Sequence, residues 1–390
     1  MIVSNKKILV FVGSRANYSS IKSVMLAVKA HPDLVLKTVV GASAILERFG
    51  KVEDLLIEDG FTIDGRFYNL IEGENPVTMA KSTGLGIIEV SSILDDLQPD
   101  FVVIVGDRFE MMSVVIAAAY QNIKIAHTMG GEVTGTIDES IRHAITKFAH
   151  VHFPANEDSR KRIIKMGENE GHVYNYGCPR IDLIREQLEN HDSNEYLKNL
   201  FESYGGVGAQ FDLNQPYLVV SQHPVTTEFE SARKQFEETL YALHQLEMPT
   251  ILLWPNADAG GDDISKSIRT FREKHNPKWL HLFKNLPTNI YIHLLNTTSC
   301  LVGNSSSGLR DAAFVGTPVV NIGSRQKMRM QGDNVINADN CSDEILSSIL
   351  KQLEHGRYQS SDIYGNGYAG EKIAGCLLSF DTDIQKTINY

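Results

Sequence analysis

Short apolar runs alternate with stretches of helical periodicity along nearly the whole chain, and this alternation leaves few folds open. Residues 7–12, 34–40 and 101–105 are compact apolar runs, and 61–68, 123–127, 151–154 and 172–176 are weaker strand candidates. Between them, 19–30, 76–97, 111–120 and 138–150 have helical spacing, with Ile21, Val24, Met25 and Val28 on one face of the first. Strands buried on both faces and separated by helices imply a parallel sheet wrapped by helices. The pattern stops in a polar, glycine-containing stretch, 190–216, and then restarts. Strands are expected at 217–221, 250–254, 300–302 and 318–322. Helices are expected at 228–246, 262–274, 289–295 and 306–314. The expected fold is therefore α/β, with two Rossmann-like doubly wound domains and a central cleft. Residues 1–190 form the first domain, 191–368 the second, and a C-terminal helix in 369–390 crosses back to the first.

Composition narrows the function classes. The net charge of −11 makes a nucleic acid or an anionic membrane surface a poor partner. No apolar run approaches the roughly 20 residues of a spanning helix. Residues 1–7 run into a strand without a signal-peptide pattern, which points to the cytoplasm. The four cysteines, Cys178, Cys300, Cys341 and Cys376, form no CxxC pair, so neither a zinc site nor a disulfide framework is expected.

In open α/β sheets ligands bind beyond the carboxyl ends of the strands, and the loops there are polar and glycine-rich. Gly13 to Ser19 follows the first strand and carries Arg15 and Ser19, but is neither a GxGxxG fingerprint nor a P-loop. Its alternatives are an anion-binding turn and a plain strand-to-helix connection. Gly106-Asp107-Arg108 follows the most apolar strand; Asp107 is placed either for acid–base work or to cap the next helix. His127-Thr-Met-Gly-Gly-Glu132, continuing to Asp138, brings a histidine and carboxylates onto one loop. His143, His150 and His152 have no zinc-like spacing. In the second half, His223 and Asn256 each follow a strand, as ligand groups or turn formers. Gly303-Asn-Ser305-Ser306-Ser-Gly-Leu-Arg-Asp311 reads as an oxyanion cradle with Asp311 one to two turns into its helix, and Arg325 is a second phosphate partner.

These segments in order, Gly13-Ser-Arg-Ala-Asn-Tyr18, Gly106-Asp-Arg108, His127-x-x-Gly-Gly-Glu-Val-Thr-Gly-Thr-Ile-Asp138, Ser140-Ile-Arg-His-Ala-Ile-Thr-Lys147 and Val302-Gly-Asn-Ser-Ser-Ser-Gly308, resemble the hydrolysing UDP-N-acetylglucosamine 2-epimerases. The resemblance spans nearly the whole chain. It implies a fold like that of the B-type glycosyltransferases, with UDP mainly on the second half and neither NAD nor a metal. It implies anti elimination of UDP across C1–C2 to a 2-acetamidoglucal, then syn addition of water, giving N-acetylmannosamine for nonulosonic (sialic) acid synthesis. The implied partner is a nucleotide sugar, and the implied assembly a homo-oligomer, dimer or tetramer. By motif position Asp107 and Asp138 are two of three catalytic acids. The third position, two residues after the histidine, holds Met129, so Glu132 or His127 must stand in, or the substrate is UDP-2,4-diacetamido-2,4,6-trideoxyglucose of the legionaminic acid route. The implied substrate contacts are Arg15, Ser19, Arg108, His223, Asn256, Ser305, Ser306, Asp311 and Arg325. A non-hydrolysing epimerase, a retaining glycosyltransferase of the same fold and a sugar-nucleotide sensor are the competing readings.

Overall fold

The structure, a computed structural model, describes residues 5–47, 50–72, 76–134, 137–255, 261–284 and 286–389. The chain forms two compact units, Met1–Leu183 with Gly365–Tyr390, and Ile184–Tyr364.

In the first unit the elements are β1 (Lys6–Val12), α1 (Arg15–Ser19), α2 (Lys22–Ala30), β2 (Leu34–Gly41), α3 (Val52–Glu58), β3 (Gly65–Phe67), α4 (Pro76–Leu97), β4 (Phe101–Val105), α5 (Phe109–Tyr120), β5 (Lys124–Thr128), α6 (Ile137–Phe148), β6 (Val151–Phe153), α7 (Glu157–Lys165) and the first turn of α8 (Pro179–Asn190), within which the division between the units falls. The sheet order is β3-β2-β1-β4-β5-β6, with every pairing parallel. Successive residues of β1 serve opposite faces. Ile8, Val10 and Val12 join the core under α2, and Leu9 and Phe11 join the core with α4 and α5 residues. This is why the strand is apolar throughout. The order reverses between β1 and β4, and at such a switch point the two following loops diverge and leave a crevice.

The second unit contains α9 (Ser193–Leu197), α10 (Leu200–Tyr204), β7 (Val207–Gly208), β8 (Leu218–Ser221), α11 (Ala232–Leu246), β9 (Thr250–Leu253), α12 (Gly261–His275), β10 (Leu280–Phe283), α13 (Thr288–Thr297), β11 (Cys300–Gly303), α14 (Ser306–Leu309), α15 (Asp311–Val315), β12 (Val319–Ile322), β13 (Val335–Ala338) and α16 (Ser342–His355). Its order is β13-β12-β11-β8-β9-β10-β7, parallel except for β7 at one edge, and it reverses between β8 and β11. The last helix, α17 (Ala369–Ser379), belongs to the first unit and packs on α2. Both carboxylate oxygens of Asp182 cap it, accepting from the N–H groups of Ala369 (3.0 Å) and Gly370 (2.6 Å).

Two doubly wound α/β sheets are thus as the alternation predicts, but several elements differ. The helix expected at 19–30 begins earlier and is broken, because Ser14 caps a separate first turn by accepting the Asn17 N–H at 3.2 Å. The strand expected at 61–68 shrinks to three residues. The one expected at 172–176 is reduced to a single bridge between His152 and Val173. The helix expected at 306–314 breaks at Arg310 into α14 and α15. Strands β7, β10 and β13 and helix α16 were not expected, being short or polar by composition.

Candidate active site

In the first unit the loops after β1, β4 and β5 meet at the switch point. Gly106, at φ +70°, turns the chain out of β4. Its N–H donates to the Thr128 carbonyl at 3.1 Å, and its own carbonyl accepts from His127 Nε2 at 2.8 Å. His127 is fully buried, which pushes its pKa down to about 3. The ring is therefore neutral, Nε2 carries the proton, and Nδ1 accepts from the Thr146 hydroxyl at 3.1 Å. Both ring nitrogens thus have partners inside the protein, and the ring links the turn after β4 to α6. Gly130 is required beside it, since a Cβ there would lie 2.8 Å from His127 Nδ1.

Arg142 of α6, only 3% exposed, ties the loops together. It pairs with the Asp107 carboxylate and donates from Nη1 to the Glu132 carbonyl at 2.7 Å. Asp138 lies one turn before Arg142, on the same face of α6. One buried guanidinium therefore joins the Asp107 carboxylate to the backbone at Glu132, with Asp138 one turn away along the same helix. Met129 has the left-handed φ of +60°, uncommon for a residue with a side chain, and packs against the first core cluster. Arg15 is half-buried at the start of α1. Ser19 ends that helix, with its hydroxyl donating to the Ala16 carbonyl and accepting from Arg180 Nη1, both at 3.1 Å. Arg108 precedes α5, and its Nε donates to Glu110 Oε1 at 2.6 Å.

In the second unit the loops after β8 and β11 meet in the same topological position. The Asn304 amide bridges them: Oδ1 accepts from the His223 N–H and Nδ2 donates to the His223 carbonyl, both at 2.8 Å. Gly303, at φ +134°, allows this approach; a Cβ there would sit 2.2 Å from the Ser221 carbonyl oxygen. The Asn304 carbonyl accepts from Arg325 Nη1 (3.2 Å) and Gln326 Nε2 (2.8 Å). Ser305 caps α14 and its hydroxyl lies 3.1 Å from that of Ser307, which Tyr291 also contacts; Ser306 is half-buried. Burial, with Arg325 adding repulsion, pushes the His223 pKa down to about 4, so this ring is neutral at pH 7. Asp311 is 1% exposed and begins α15 at the Arg310 break, not one to two turns into a continuous helix as expected. Asn256 lies outside the described residues.

Sequence reasoning brings His223, Ser305, Ser306 and Arg325 to one loop cluster and Asp107, Glu132 and Asp138 to another. It overlooks Arg142, Asn304, Gln326, Arg180 and Glu110, which act by holding other groups. Arg142 and Asn304 lie inside the quoted motifs, so a signal was present. Glu110 reads only as a helix-starting acid. Among the described residues no group of three His, Cys, Asp or Glu side chains is arranged to hold a metal, and no helix is long and apolar enough to cross a membrane.

Residues 26–378 match the family model described as UDP-N-acetylglucosamine 2-epimerase. The chain is 32% identical to a UDP-N,N'-diacetylbacillosamine 2-epimerase (hydrolyzing) of Legionella pneumophila, over 94% of both chains. It is 29% identical to a UDP-N-acetylglucosamine 2-epimerase of Neisseria meningitidis, over 93% of this chain and 91% of the relative. In fold it is similar to the crystal structure of a UDP-GlcNAc 2-epimerase from Neisseria meningitidis bound to UDP-GlcNAc, with a TM-score of 0.80, 17% identity, and coverage of 96% of this chain and 100% of that one.

Proposed function

Since the chain belongs to the UDP-N-acetylglucosamine 2-epimerase family, we propose that it is a hydrolysing member, converting UDP-N-acetylglucosamine and water to N-acetylmannosamine and UDP. The observation that carries this reading is the pairing of the Asp107 carboxylate with the buried Arg142, which also holds the Glu132 carbonyl, on the helix that carries Asp138 one turn earlier. Elimination needs a carboxylate at C2 and a fixed set of donors for the departing diphosphate. One of the pair Asp107 and Asp138 takes the C2 proton, the C1–oxygen bond breaks, and its electrons leave with UDP. Water then adds its hydroxide part to C1 and a proton returns to C2 on the same face, giving the manno sugar. Glu132 supplies the further carboxylate that the position of Met129 lacks. Arg142 fixes the direction of Asp107, and His127 fixes the turn before it.

In the second unit Arg325, Ser305 and Ser306 serve the diphosphate, and Asp311 the ribose. His223, neutral at pH 7, accepts a proton more readily with an anion beside it. Arg15, Ser19 and Arg108 are the substrate groups of the first unit, and Asn256 remains one for the second by motif position. A cytoplasmic homo-oligomer supplying nonulosonic acid synthesis is part of the same reading.

Met129 favours a second substrate for the same reaction. Its apolar side chain stands at a position of the acid–base loop and packs on the core cluster. The Legionella relative is named for UDP-N,N'-diacetylbacillosamine, whose sugar lacks a 6-hydroxyl. The test is incubation with each nucleotide sugar and no acceptor, followed by NMR. Free amino sugar and UDP in equal amounts are expected. A product still joined to UDP, or no UDP release from either sugar, overturns the hydrolysing assignment.

A further inference from the structure

Glu110 is a carboxylate near the switch point that neither the sequence reading nor the proposed mechanism uses. It stands in the first turn of α5, where an anion is favoured by the helix N-terminus, and its side chain is 0% exposed. Oε1 accepts from Arg108 Nε at 2.6 Å. Oε2 is buried and has no hydrogen-bond partner among the described residues. The carboxylate is wedged against the first loop: a Cβ on Gly13 would lie 2.9 Å from Glu110 Cγ and 3.0 Å from Oε1. Arg108, by contrast, is 46% exposed, and its guanidinium lies 5.8 Å from the Phe109 ring centre.

This is a poor design for stability. An ion pair built for stability uses both oxygens in a bidentate fork, and a half-satisfied buried carboxylate is costly. What the arrangement does is orient. A guanidinium held at Nε by a buried acid and flanked by a ring has its plane fixed, and the Nη1–Nη2 edge is the one that takes an anion's two oxygens. We infer that Glu110 is a positioning residue, which holds Arg108 so that its outer edge receives the diphosphate of the nucleotide. The inference rests on the reading of Arg108 as an anion ligand, and it assigns Glu110 a role through Arg108, not on the substrate.

The test is a double-mutant cycle on the full chain: wild type, Glu110→Gln, Arg108→Ala and the double variant. UDP affinity is read by calorimetry, and UDP release from both nucleotide sugars is followed in parallel. The calorimetric cycle needs no turnover, so a chain that releases no UDP overturns the epimerase reading while the cycle still decides this one. Arg108→Ala is expected to weaken UDP roughly tenfold or more. Glu110→Gln is expected to weaken it about three- to tenfold in the wild-type background and less than twofold in the Arg108→Ala background. Equal losses in both backgrounds, or unchanged affinity in Arg108→Ala, overturn the inference. If Glu110→Gln does not fold, Arg108→Lys decides: Lys keeps the charge beside Glu110 but lacks the fork. It should bind UDP as poorly as Arg108→Ala, and wild-type affinity in it overturns the inference.

Discussion

Asp107→Asn separates the chemistry of the site from its architecture. The substitution keeps the shape of the side chain and one acceptor but removes the charge facing Arg142, which is 3% exposed against 24% for Asp107. Removing one partner of a fully buried pair costs about 3–5 kcal/mol. Because Asp107 is partly in water, roughly half of that, about 2 kcal/mol, is expected here. For a unit of about 200 residues this lowers Tm by about 4–8 °C. Turnover at 25 °C, where the variant is still folded, should fall by about 10²–10⁴ with UDP affinity little changed. Adding Arg142→Met removes the stranded charge, so it should recover part of the lost Tm but none of the turnover. Scanning calorimetry and a UDP-release assay read the two effects separately. A Tm within about 1 °C of wild type would refute the buried-pair argument. A kcat within threefold of wild type would refute proton transfer by Asp107.

Three further outcomes follow from the geometry. His127 and His152 are buried and neutral, with pKa values pushed by burial to about 3 and about 4, so both take up a proton when the first unit unfolds below pH 6.5. Stability from them is fully present above pH 6.5 and is lost as pH falls toward 4, at about 3 kcal/mol per pH unit for two protons; denaturant midpoints that do not fall between pH 6.5 and 5 would contradict this. Arg325→Ala should weaken UDP by about 1.5–3 kcal/mol in calorimetry, as loss of a charge-assisted bond does, and unchanged affinity would remove Arg325 from the diphosphate. Met129→Glu should preserve or raise the rate on UDP-N-acetylglucosamine if the methionine is a tolerated replacement, and lower the rate on the 6-deoxy sugar if the surroundings are built for an apolar group; equal effects on both sugars would show that Met129 does not set substrate choice.

The alternation of apolar strands and amphipathic helices pointed to two doubly wound units, because strands apolar on both faces, such as Phe101–Val105, that alternate with helices imply a parallel sheet covered on both sides. It also pointed to the loops, since in such sheets the residues after the strands line the crevice. What the sequence by itself did not show is which side chains in those loops meet a ligand and which hold others in place. His127 reads as an acid–base group on a loop. Only the fold shows that its ring is buried between the Gly106 carbonyl and the Thr146 hydroxyl. Arg142 reads as one charge in a polar helix, yet the register of α6 against β5 turns it inward onto Asp107. Asp311 lost its place in a continuous helix because the backbone breaks at Arg310. Burial and register are contacts between segments distant along the chain, and they decide charge, tautomer and direction. Local periodicity encodes only which face of each segment is apolar.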